Sequence, residues 1–238
     1  MKKFIITLCM LICIQFIYSQ DELEINYQEI KQKIEDKNSP PYYYPGLLTR
    51  FNNFDQLLTM EEYSFIYYGF TFQEDYLNKQ PDEKELLNLI DSEQYELAIE
   101  ECKKILMKNP VSLAANNYMG FSLFKLDKPE DEWKKYQKRY RELRKVIAYS
   151  GNGLSCETAF KVIYISDEYN MMYSYFNIEK IHKQQLVNLC DKFDIEASGN
   201  YQVNEIYFDI SRKLIRQQEL IDNSARVKES NLNKQKAK

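Results

Sequence analysis

From Leu23 to Ile147 apolar residues recur mostly at three- and four-residue spacing, and after Ala148 they switch to short β-branched and aromatic runs. The pattern predicts a mostly α, α+β chain: a helical body followed by a small antiparallel sheet. Leu23, Tyr27, Ile30 and Ile34 mark a first amphipathic helix, which Pro40 and Pro41 prevent from continuing. Residues 42–58 read as an ordered aromatic loop, and Thr59 with Glu62 forms a capping box ahead of a helix from about Met60 to Gly69. Four more helices follow, carried by Leu86, Leu89 and Ile90; by Tyr95, Ala98, Cys102 and Ile105; by Leu113, Met119 and Leu123; and by Trp133, Tyr136, Tyr140, Leu143 and Ile147. The runs AFKVIYI, QQLVNL, KFDIEA and EIYFDIS predict four strands, with 167–176 a helix or an extended excursion. Beyond Arg212 the pattern is helical again, and from Asn223 the scarcity of apolar residues predicts a frayed, solvated tail.

The two hairpins within 83–148 resemble tetratricopeptide repeats, units of about 34 residues with a small residue at each close helix crossing. Ala98 takes the small position, Pro110 the closing proline and Gly120 the glycine of the next unit. The second unit departs from the pattern, with Glu132 at the expected alanine and no closing proline before Ile147. Two units are fewer than such arrays need, so the pair is expected to lean on the rest of the chain.

The N-terminus changes the picture of compartment. Lys2 and Lys3, the apolar stretch Phe4 to Phe16 and Ser19 spell a cleavable secretory leader over 1–19, and the apolar run is too short for a membrane anchor. Cys9 and Cys13 follow branched apolar residues, which argues against lipidation. The expected organisation is a leader at 1–19, N-terminal helices and loop at 20–82, the helical pair at 83–148, a sheet subdomain at 149–211 and a helical or disordered tail at 212–238. The chain carries a formal charge of −4; without Lys2 and Lys3 it has 30 basic and 36 acidic residues, or −6, which gives nucleic acid no electrostatic footing. Three cysteines remain after cleavage, of which Cys102 falls on an apolar helix face, while Cys156 and Cys190 are the pair to test for a bridge.

The blocks YYYPGLLTRF, LTMEEYSFIYYGFTFQEDY, SGNGLSCETAFKVI and NEIYFDIS resemble a family of secreted Bacteroidetes proteins, domain-of-unknown-function family 4919. That resemblance implies secretion and a helical body with a small C-terminal sheet. It implies no activity, substrate or cofactor.

Candidate chemistry is sparse, and no catalytic, cofactor or metal residue is assigned. His182 is the only histidine, which excludes multi-histidine metal sites and leaves Cys156 with His182 as the one nucleophile pair to consider. Glu74 and Asp75 border an aromatic segment as hydrolytic acids would, yet adjacent acids more simply solvate or cap a turn. The same holds for Asp167 with Glu168 and Asp191 with Asp194. Asn152-Gly153 is a turn without a phosphate-binding fingerprint. The helix marked by Trp133 to Ile147 carries Lys134, Lys135, Lys138, Arg139, Arg141, Arg144 and Lys145 against Asp131, Glu132 and Glu142, a basic face suited to solvent or, as a weaker alternative, to anionic lipid or an acidic partner. The leading expectation is a non-catalytic secreted or periplasmic module that binds a protein or peptide through its helix hairpins. The rival from another class is an envelope glycan or peptidoglycan hydrolase using carboxylates near 63–75.

Overall fold

The computed structural model describes residues 23–80 and 82–236; the expected leader, 1–19, lies outside them. The fold is α+β and mostly helical. Helix α1 (Tyr27–Glu35) starts where the Asn26 side chain accepts from the Gln28 and Glu29 amides. Helix α2 (Tyr44–Asn52) occupies much of the stretch expected as a loop. Pro45 and Gly46 suggest a turn, but proline is tolerated in a first helical turn, and Tyr44, Leu47 and Phe51 bury one face at helical spacing. Helix α3 (Met60–Gly69) opens on the expected capping box: the Thr59 hydroxyl accepts from the Glu62 amide at 3.2 Å, and the Glu62 carboxylate accepts from the Thr59 amide at 2.8 Å. Nearly all of α3 is buried. Short 3-10 turns follow at Phe70–Phe72 and Tyr76–Lys79.

Helices α4 (Lys84–Asp91), α5 (Tyr95–Lys108), α6 (Leu113–Lys125) and α7 (Glu130–Ala148) form the two hairpins. A Cβ on Gly120 would lie 2.9 Å from Gln137 Cγ and 3.2 Å from the Trp133 carbonyl oxygen, so α6 and α7 cross too closely for a larger residue to fit without movement. Leu86, Ala98, Cys102, Ile105, Ala115, Met119 and Leu123 make a core cluster of the hairpins' own. The C-terminal half of α7 instead enters the main core through Tyr140, Leu143, Val146 and Ile147, which explains why this helix runs on without a closing proline. Helix α3 packs on α7, so the hairpins lean on the N-terminal helices.

The chain then forms strand β1 (Phe160–Lys161), helix α8 (Ile165–Ser174), strands β2 (Ile181–Val187), β3 (Cys190–Ile195) and β4 (Glu205–Asp209), and helix α9 (Ser211–Lys236). The sheet order is β1-β4-β3-β2. Strands β2, β3 and β4 are antiparallel as expected, but β1 lies parallel to β4, making the sheet mixed. The reason is connectivity: the chain between β1 and β4 threads through α8 and the β2–β3 hairpin, and such a crossover brings β4 back parallel to β1. Phe160, Phe193, Ile195, Ile206 and Phe208 join Ile30, Leu47, Phe51 and Tyr67 in one core, so the N-terminal helices and the sheet are packed as one body. Helix α9 extends through the stretch expected to fray, in keeping with the helix-favouring Ala, Lys, Glu and Gln of that stretch.

Candidate functional site

Cys156 and Cys190 are bridged, with Cα atoms 5.7 Å apart, and Cys102 is buried and unbridged. The bridge consumes the thiol that a Cys156–His182 nucleophile pair needs, and His182 stands exposed on the edge strand β2. Glu74 and Asp75 build a turn. Asp75 adopts φ +60°, its carbonyl accepts from the Asn78 and Lys79 amides at 2.8 and 3.0 Å, and the Glu74 carbonyl accepts from Lys79 Nζ at 2.8 Å.

The basic face of α7 is largely spent within the fold. Arg139 is 5% exposed, its guanidinium lies 3.8 Å from the Phe54 ring centre and 4.1 Å from that of Phe51, and it donates to the Phe51 carbonyl. Burial without a carboxylate partner pulls its pKa down to about 10. Arg144 stacks on Tyr140 and donates to the Ser174 carbonyl, while Lys138 donates to Gln56. Arg139 and Arg144 therefore tie α7 to its neighbours.

The acids of α8 have a different environment from the one their sequence suggests. Asp167 and Glu168 are 3% and 0% exposed. The Tyr67 hydroxyl donates to Asp167 Oδ2 at 2.6 Å, and the Tyr164 amide donates to the same oxygen at 3.3 Å. Burial, with a smaller push from the Glu83 charge, raises Asp167 to about 7. Among the described residues no donor reaches either Glu168 carboxyl oxygen, and burial, the Asp191 charge and the hydrogen bond the protonated Glu168 gives Asp191 raise it to about 10. Sequence did carry a signal for Asp191, which alternates with Phe193 and Ile195 in CDKFDI and so points to the core face, 6% exposed. Asp194, on the opposite face, pairs with Lys192. Among the described residues no group of three or more His, Cys, Asp or Glu is arranged to hold a metal ion, and no described helix is long and apolar enough to cross a membrane.

The arrangement best suited to a ligand is a groove of about 550 Å³ between the body and the hairpins, within the size range of ligand sites. Leu48 and Asn52 from α2, with Phe70 and Gln73 after α3, form one wall. Leu106 and Met107 of α5, Met119 of α6 and Tyr136 of α7 form the apolar floor and opposite wall, with Lys79, Lys103 and Lys108 around them. Met107 is 84% exposed. These residues come from six elements separated in sequence, which is why no local pattern announced the groove.

Residues 28–219 match a domain of unknown function (DUF4919). No curated protein and no solved structure matches the chain.

Proposed function

The chain belongs to the DUF4919 family, and we propose that within it this protein is a non-catalytic, secreted or periplasmic module whose groove holds a peptide segment of a partner protein. The observation that carries this reading is the groove itself: an apolar floor of Leu106, Met119 and Tyr136 with exposed Met107 at its rim, open to solvent and framed by two packed bodies. Helix pairs of tetratricopeptide type keep such a scaffold rigid through small crossing residues, here Ala98 and Gly120, while the surrounding surface stays free to recognise. The leader at 1–19 directs the protein out of the cytosol, and the Cys156–Cys190 bridge suits an oxidising compartment.

The hydrolase alternative finds less support. Glu74 and Asp75 use their backbones to build a turn, and Asp167 and Glu168 are closed off from solvent. A photocrosslinking residue placed at Met107, with a control at exposed Tyr173, tests the reading in an envelope preparation. A discrete protein adduct from Met107 alone supports it. Equal adducts from both positions, or a hydrolytic activity lost on changing Glu74 and Asp75 to amides, overturns it.

A further inference from the structure

The groove's charge is opposite to that of the chain. The protein carries a formal charge of −4, yet Lys79, Lys103 and Lys108 line one concavity with no Asp or Glu among its lining residues. Helix-dipole compensation accounts for a lysine such as Lys108 in the last turn of α5. Lys79, at the end of a separate 3-10 turn and bonded to the Glu74 carbonyl, converges on the same space from another part of the chain. The ammonium groups are available at small cost. Among the described residues Lys103 pairs with Glu100 alone, at 2.7 Å, both side chains more than half exposed, and such pairs are weak. Lys79 gives one N–H to the Glu74 carbonyl and retains two.

We propose, resting on the peptide-groove reading above, that the occupant is an acidic peptide segment: two or more Asp or Glu side chains meet this lysine collar while an apolar side chain lies on the Leu106–Met119 floor. The same lysines would attract an anionic bilayer, but the shape favours a chain. A flat surface reaches the rim at Met107 and leaves the recessed floor empty, whereas an extended peptide enters it. Charge complementarity of this kind gives specificity and a salt-sensitive on-rate.

The test uses purified protein and a labelled nonapeptide of alternating glutamate and leucine, with its all-glutamine counterpart and phosphatidylglycerol vesicles as the other probes, read by fluorescence anisotropy and co-sedimentation. The glutamate peptide is expected to bind about tenfold more tightly than the glutamine one, and about tenfold more weakly to the K79Q/K103Q/K108Q variant. No binding of the glutamate peptide, equal binding of both peptides, or an unchanged affinity in the triple variant overturns the acidic-segment proposal. If the Met107 photocrosslink still yields its discrete adduct, the peptide-groove reading survives that failure. Vesicle binding lost in the triple variant, with neither peptide bound and no Met107 protein adduct, removes both in favour of a membrane surface.

Discussion

The Tyr67 hydroxyl donates to the Asp167 carboxylate at 2.6 Å, across 100 residues of sequence, and pins the largely buried helix α3 to the first turn of α8. Asp167 sits in this pair at a pKa of about 7, raised by burial and by the Glu83 charge. A carboxyl raised on folding favours the folded state most below its unfolded pKa, and that contribution is lost as pH rises through the folded value. Stability is therefore expected to fall between pH 5 and 7 by on the order of 2 kcal/mol from Asp167 alone. Urea unfolding across that range checks it. D167N, which keeps an acceptor for Tyr67, should flatten this part of the slope; an unchanged slope would show that Asp167 does not carry it.

Arg139 and Lys138 are neighbours on α7 with different expected costs. R139A should lose roughly 2–4 kcal/mol, because it empties the stack between Phe51 and Phe54 and removes the charged donor from the Phe51 carbonyl, which keeps the Phe54 amide at 3.0 Å. K138Q should stay within about 0.5 kcal/mol, since Lys138 only reaches exposed Gln56. Denaturant midpoints of the two variants measure the contrast. A vesicle-binding test of this helix should leave Arg139 intact, or unfolding will be mistaken for lost binding.

At Gly120 two effects oppose each other. Alanine gains up to about 1 kcal/mol of helix propensity but must push Gln137 Cγ, 2.9 Å from its Cβ, and approach the Trp133 carbonyl at 3.2 Å. G120A is expected near neutral because the Gln137 side chain has room to shift. G120L meets backbone that does not yield and should cost about 1–3 kcal/mol, read as a lowered thermal midpoint. A neutral G120L would mean that the α6–α7 crossing is looser than the backbone distance implies.

The Cys156–Cys190 bridge closes a loop of 34 residues, and its loss should cost about 2–4 kcal/mol. Cys102 behaves in the opposite way: burial pushes its thiol up to about 12 and keeps it unreactive. Native protein lacking residues 1–19 should therefore show no thiol toward a thiol-specific disulfide reagent, and unfolding without reductant should release one. Rapid native labelling of a single thiol would place Cys102 at the surface.

Local patterns anticipated much of the fold because they express short-range forces. The Thr59–Glu62 capping box, the close helix crossing at Gly120 and the Cys156–Cys190 pair all stand as their sequence implied. The stretch at Tyr44–Asn52 was misleading because Pro45 and Gly46 are ambiguous between a turn and a helix start, and only the burial of Leu47 and Phe51 decides between them. The acids of α8 were misleading in another way. In sequence Asp167 and Glu168 look like ordinary first-turn residues, and it takes α3 and β3 packed above them to remove their water.

By itself the sequence determined the periodicities, and with them the mostly helical α+β class and most element positions, since amphipathic spacing and capping act over a few residues. Only the tertiary structure decided the parallel placement of β1, the burial of Arg139 and Glu168, and the convergence of Lys79, Lys103 and Lys108 on one groove. Those depend on which distant surfaces meet, and the desolvation that sets their chemistry exists only once they have met.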